Sequence, residues 1–177
     1  MSLSRLLLVL FTGALLAGCV REPEAAVPPN VDSLVLEDFF RGHGKGEGRF
    51  ESGVAGVDRS FVVDTFGTWD GRTLTLREDF RFDDGERDSK TWRFTKQKDG
   101  SYRGTREDVV GVAYVAQDGD TVRLSYDAMV AGKSGKARKL HFEDVLIPQS
   151  RTVVVNKAVV SKVGLPVATV EVVFRQR

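Results

Sequence analysis

Glu78 is the residue whose placement most invites chemistry. It falls in a run, residues 73–82, in which Leu74, Leu76, Glu78, Phe80 and Phe82 share one alternating face, while Thr73, Thr75, Arg77, Asp79 and Arg81 share the other. If the apolar face lines an interior, a carboxyl group is set in hydrocarbon. It then needs an arginine partner, a set of hydrogen bonds or a raised pKa. Two roles fit that placement: a polar anchor for a ligand head group, or a structural ion pair, which is the commoner outcome. Asp144 has the same setting among Leu140, Phe142 and Leu146, and Asn156 interrupts Val153, Val154, Val155, Ala158 and Val159. Trp69 and Trp92 read as core or rim aromatics. Glu78, Asp144, Asn156 and Trp92 are therefore the candidate ligand-binding set.

Other motifs carry less. Gly42-His43-Gly44-Lys45-Gly46-Glu47-Gly48 is glycine-dense, but phosphate-cradling loops lead into a helix, and here a strand follows. Its glycines fit sharp coiling or close packing of a first strand. The two histidines, His43 and His141, are far apart and lack zinc-ligand spacing, and His141 alternates away from Phe142. There is no Gly-x-Ser-x-Gly elbow, and Asp83-Asp84 sits in a turn. The expectation is no catalytic residue, no metal and no cofactor.

The chain of 177 residues contains a single cysteine, Cys19, so an internal disulfide is impossible. A short basic start, residues 1–5, precedes an apolar stretch, residues 6–16, and then Leu16-Ala17-Gly18-Cys19. The apolar stretch is shorter than the roughly 20 residues needed to span a bilayer and fits a secretory signal. Leu-Ala-Gly-Cys resembles the bacterial lipobox. That resemblance implies cleavage before Cys19, a diacylglycerol on its sulfur, and a membrane partner through the lipid. Val20, where Asp would favour inner-membrane retention, implies an outer-membrane anchor facing the periplasm of a Gram-negative envelope. Net charge is +1, from 26 basic and 25 acidic residues, which gives no electrostatic reason for a nucleic-acid partner.

The elements that must position the candidate residues are strands. Turn signals recur at Asp70-Gly71, Asp83-Asp84-Gly85, Lys98-Asp99-Gly100, Asp118-Gly119-Asp120, Gly132-Lys133-Ser134-Gly135 and Pro148-Gln149-Ser150. Between them the period is two. Strands are predicted over residues 45–52, 59–69, 73–82, 90–96, 101–107, 110–117, 121–129, 136–147, 151–159 and 166–175. So many hairpins favour closure, because closure removes sheet edges. The fold class expected is all-β, an up-and-down antiparallel barrel of about 8–10 strands of the calycin or lipocalin type, with a β-sandwich as alternative. Residues 1–18 form the signal peptide, 19–33 a proline-rich lipidated tether, and 34–177 one barrel domain. A short helix or turn is expected within residues 31–40, capped by Asp32 or Ser33.

The body also resembles a family of proteobacterial lipoproteins, the domain of unknown function 3833. The matching pieces are Phe40-Arg41-Gly42 with Gly46-Glu47-Gly48-Arg49-Phe50, Arg59-Ser60-Phe61, Gly67-Thr68-Trp69, and Leu74-Thr75-Leu76-Arg77-Glu78-Asp79-Phe80. Asp84-Gly85, Tyr102-Arg103-Gly104, Asp108-Val109-Val110-Gly111, Asn156-Lys157 and Ser161-Lys162-Val163-Gly164 follow in order. The family pattern has an aromatic after the Asp matching Asp144, where this chain has Val145. Gly67-Thr68-Trp69 is also similar to the lipocalin Gly-x-Trp, although a strand precedes it here. The resemblance implies an envelope location, a lipocalin-like barrel and a link to membrane fatty acids such as palmitate. Three functions follow as expectations. The first is binding of a fatty-acyl or other small hydrophobic ligand inside the barrel. The second is a non-enzymatic structural or assembly role in the envelope, and the third is an enzyme acting on lipids through the inward carboxylates.

Overall fold

The computed structural model describes Pro23, residues 25–131 and residues 135–177. The expected signal segment, Cys19, part of the tether, and Gly132-Lys133-Ser134 of one expected turn lie outside the described residues. Among those described, no helix is long and apolar enough to cross a membrane.

One short helix, α1 (Leu36–Phe40), precedes ten strands: β1 (Gly42–Ser52), β2 (Val57–Trp69), β3 (Thr73–Phe82), β4 (Arg87–Lys96), β5 (Tyr102–Thr105), β6 (Ala113–Asp118), β7 (Thr121–Ala131), β8 (Ala137–Ser150), β9 (Val153–Lys162) and β10 (Leu165–Gln176). Each strand pairs with its neighbours in sequence, and β1 pairs antiparallel with β10, from Gly44 opposite Gln176 to Glu51 opposite Thr169. The sheet is therefore a closed barrel, which removes the sandwich alternative. The Asp-Gly turns work as expected: Gly71 and Gly85 sit at φ 94° and 86°, where a side chain would be strained.

Two expected strand limits are corrected. β5 stops at Thr105 and β6 begins at Ala113, whereas the sequence pattern carries strand through Glu107 and from Val110. The intervening residues 106–112 leave their own ladder because they bond elsewhere: Val109 bridges Ala128, and the Val110 amide donates to the Asp127 carbonyl at 2.8 Å.

The glycines of β1 are explained by packing. Gly44, Gly46 and Gly48 lie opposite Thr65, Val63 and Phe61 of β2. A Cβ on Gly46 would come within 2.6 Å of a Val63 methyl, and one on Gly48 within 2.5 Å of the Phe61 ring. Neighbouring side chains fill the space that glycine leaves, so the motif is a packing device and not a phosphate cradle.

The short helix plugs one end of the barrel. Leu36, Phe39 and Phe40 are buried, and the Phe40 ring meets Phe174 of β10 edge-on at 5.3 Å between centroids. Neither expected cap caps it: Val35 holds the N-cap position without a side-chain bond, Asp32 pairs with Arg151 at 3.3 Å, and the Ser33 hydroxyl goes to Asp120. The helix is instead tied down through buried Glu37. Lys96 donates to its carboxylate at 2.6 Å, and the Tyr102 hydroxyl donates to the other oxygen. Burial pushes the Glu37 carboxyl up, but these bonds outweigh it and hold the group below its ordinary range.

Candidate functional site

An eight-stranded barrel has a lumen that side chains just fill. Ten strands enclose more, and here the surplus is a cavity of about 180 Å³ in the barrel interior. Leu36 and Phe40 of the plug line one end of it. Toward the opposite end the wall is aromatic and only partly buried, with Phe80 and Phe142.

All four residues of the candidate set line this cavity: Glu78 from β3, Trp92 from β4, Asp144 from β8 and Asn156 from β9. In the closed strand order β3 and β8 stand opposite each other, five strands apart in either direction. The two carboxylates therefore approach across the lumen. Asp144 and Asn156 are closer neighbours on one wall, since Asp144 lies opposite Ala158 and Leu146 opposite Asn156.

Three further residues complete the site and were not singled out by the sequence pattern. Arg106 leaves β5 in phase with the inward Tyr102 and Gly104, and its side chain is only 13% exposed. Its guanidinium grips Asp108 with two bonds, at 2.7 Å from Nε and 3.3 Å from the second nitrogen. One terminal nitrogen lies 3.9 Å from Glu78, too long for a hydrogen bond but close enough for attraction. The same cation lies over the Trp92 ring at 4.5 Å. Tyr126, in phase with Val122 and Leu124 on β7, meets Trp92 edge-on at 5.2 Å, stacks on Phe142 at 5.0 Å, and donates its hydroxyl to Asp144. Asp108 balances the Arg106 charge from the barrel end.

Glu78 and Asp144 are each 7% exposed, and both keep an oxygen without a hydrogen-bond partner: Oε2 of Glu78 and Oδ1 of Asp144. Asn156 Oδ1 is unpartnered as well. Loss of water raises the Glu78 pKa to about 7, with Arg106 opposing and Asp108 and Glu107 adding to the rise. Burial likewise raises Asp144 to about 7, against the Tyr126 hydrogen bond and the pull of Arg106. Burial also drives the Tyr126 hydroxyl well above its usual range, so it stays a donor. At neutral pH the site thus holds one fixed cation, Arg106, and two carboxyl groups poised between charged and neutral.

His141 belongs to the outer face, as expected, where Asp127 and Glu143 accept from its two ring nitrogens at 2.9 and 2.7 Å. Val145 is buried but out of phase with Asp144 and does not line the cavity. Among the described residues, no three His, Cys, Asp or Glu side chains are grouped as a metal would require. A larger open groove, about 1060 Å³, runs mainly along the outside of the wall. Two of its charged groups are held in surface pairs, Glu47 with Lys45 at 2.9 Å and Arg81 with Asp64 at 2.7 Å, and among the described residues it lacks the unpartnered buried oxygens of the interior cavity, which is the better site.

Residues 13–176 match the family described as "Protein of unknown function (DUF3833)". No curated protein matches the sequence. Among solved structures, the S-type phycobiliprotein lyase CPES from Guillardia theta is similar at a TM-score of 0.58 and 11% identity, over 81% of this chain and 93% of that one. At that identity the likeness is one of fold alone, and the fold here is a closed antiparallel barrel. A redesigned β-barrel, mFAP0, bound to DFHBI, matches at a TM-score of 0.44 and 10% identity, over 78% of this chain and 99% of that one.

Proposed function

The chain belongs to the DUF3833 family, and on that premise we propose that it is a lipid-anchored envelope protein whose barrel interior binds a small hydrophobic or lipid-derived ligand with a polar end. One observation carries the binding reading: Glu78, Asp144 and Asn156 bring three unpartnered buried oxygens to a cavity otherwise walled by aromatic and aliphatic side chains. Leaving a buried polar group unmet costs about 1–3 kcal/mol each. An interior serving packing alone would carry leucine or valine at those positions. A bound molecule that meets the oxygens removes the penalty, and its apolar part replaces empty space against Phe80, Trp92 and Phe142. A cavity of about 180 Å³ encloses a ring or a short chain, since one of about 150 Å³ already takes up benzene. A longer acyl chain has to emerge at the end away from α1.

Two measurements test the reading. Native mass spectrometry of gently purified protein is expected to show a mass excess that disappears on denaturation, and a set of small amphiphiles is expected to raise Tm. A barrel that comes without a passenger and responds to none of them overturns it.

The anchor is supported by Leu16-Ala17-Gly18-Cys19 and by the apolar stretch before it. In this reading residues 1–18 are removed, residues 19–33 tether the body, and acyl chains on Cys19 hold the barrel at the periplasmic face of an outer membrane. Each buried methylene contributes about 0.8 kcal/mol, so several chains together make the anchorage stable. Replacing Cys19 by Ser is expected to move the protein from the membrane fraction to the soluble one on fractionation. Retention of Cys19→Ser in the membrane fraction overturns the anchor.

A further inference from the structure

We infer that the cavity selects a small amphipathic cation, a primary amine or amidine on a ring or short chain, over a carboxylate of the same size. The inference rests on the binding reading above and specifies its ligand.

The unpartnered groups at the cavity set the first condition. Glu78 Oε2 and Asp144 Oδ1 are carboxyl oxygens on side chains more than nine-tenths buried, and Asn156 adds an amide oxygen. When the carboxyl groups are ionised they are acceptors only, so what satisfies them is a donor.

The strongest donor of the site is already engaged. Arg106 is the one cation among the described lining residues. It spends Nε and one terminal nitrogen on Asp108 and its face on Trp92, and its remaining terminal nitrogen stays 3.9 Å from Glu78. The Tyr126 hydroxyl is turned to Asp144. An incoming carboxylate has to compete with Asp108 and Glu78 for Arg106, and it faces two carboxyl groups. With Asp108 offsetting Arg106, it meets net negative charge in a low dielectric, where repulsion is strong.

The walls set the second condition. Trp92, Tyr126, Phe142 and Phe80 line the space beside the two acids, and aromatic faces attract cations as well as apolar groups. An ammonium placed between Glu78 and Asp144 donates to both and leaves its hydrocarbon against those rings. Its binding draws the two acids into their charged form, so protons leave the site. Glu78, Asp144, Asp108, Tyr126 and Arg106 all face that position, with Glu107 and Glu143 acting at longer range. Of these, Glu78 and Asp144 are the pair poised to release protons near neutral pH.

The test is titration calorimetry on the purified chain with benzylamine, benzoate and benzyl alcohol, each run at pH 7 in phosphate and in Tris. Expected is benzylamine at least tenfold tighter than either of the others, with net proton release that shifts the observed heat between the two buffers. The Asp144→Asn variant keeps the acceptor toward Tyr126 but removes a charge, and should lose most of that preference. Circular dichroism establishes that it remains folded. If benzoate binds as well as benzylamine, or benzyl alcohol matches it, the cation inference falls while ligand binding stands. If none of the three binds and no small amphiphile raises Tm, the binding reading falls with it. The comparison among the three probes uses the unaltered protein, so it decides the question even if the variant fails to fold.

Discussion

Replacing Gly67 by alanine is expected to destabilise the barrel by about 3 kcal/mol, the upper part of the range for overpacking a filled site. In a domain of this size that lowers Tm by roughly 6–12 °C. The reason is steric and not conformational, because Gly67 is absent from the positive-φ glycines. A Cβ there would lie 1.9 Å from the Phe40 carbonyl oxygen, 2.8 Å from its carbonyl carbon and 3.4 Å from the Arg41 Cα. Backbone atoms cannot swing aside as the end of a flexible side chain can, so the last turn of α1 has to lift. That withdraws Phe40 from Phe174 and strains the Glu37 bonds to Lys96 and Tyr102. Gly53→Ala is the matched control, since nothing lies within 4 Å of a Cβ there. Thermal melts of the two variants side by side test the argument, and a Gly67→Ala melt within 2 °C of the control, a gap set by less than about 1 kcal/mol, would falsify it.

The second large effect is electrostatic. Between about pH 5 and pH 8 the fold is expected to lose stability as pH rises. In the unfolded chain Glu78 and Asp144 ionise near 4.5 and 3.8, whereas in the barrel burial holds both up to about 7. Over that interval the folded state keeps protons that the unfolded state has released, so raising the pH favours unfolding until the folded groups ionise as well. Below about pH 3 both states are protonated and the two acids stop contributing. His141 adds the same sign: hydrogen bonds to Glu143 and Asp127 outweigh its burial and raise its pKa, so its contribution is also lost as pH rises. Asp127, held low mainly by hydrogen bonds from His141 and Lys139, is weakened only on further acidification through the ordinary carboxylate range and below. A pKa displaced by one pH unit on folding corresponds to about 1.4 kcal/mol. The coupled pair therefore accounts for a few kcal/mol at most across the interval. The Glu78→Gln, Asp144→Asn double variant should flatten most of this slope and exceed the parent in stability at pH 8, leaving the His141 share. Urea melts at pH 5, 6, 7 and 8 measure it, and a double variant with the parent's full slope would show that these acids are not its source.

The barrel was legible because two signals agreed: an Asp-Gly turn at four of the nine hairpins and an alternation of two between turns. The inward direction of Glu78, Asp144 and Asn156 followed from the same alternation. Their meeting did not. That β3 faces β8 across the lumen depends on how many strands close the ring and on which strand meets which, a property of the finished sheet and not of either segment. Arg106 was missed for a local reason. Its inward neighbours are Tyr102 and Gly104, a short strand with little apolar pattern, and an arginine at its end reads as solvent-facing. The phase with Tyr102 was the available signal, and the need of a buried Glu78 for a cationic partner was the other. Gly67-Thr68-Trp69 drew notice for its likeness to a lipocalin motif. What the structure adds is the contact behind the glycine, the carbonyl of Phe40 lying against it. Such contacts link segments distant in the chain and leave no periodic trace.

Closure of the ring by β1 and β10 also governs the order of assembly. The ladder from Gly44 opposite Gln176 joins nearly the two ends of the described body. No shorter stretch of the chain contains a finished barrel, since every fragment lacking β10 leaves β1 and β9 with unpaired edges open to other chains. The hairpins are local and quick to form, but the seam waits for the last dozen residues and for the loss of chain entropy that brings the ends together. Folding is thus committed late, when the whole chain is available. That timing suits the proposed export, in which the polypeptide is first threaded, unfolded, through a membrane.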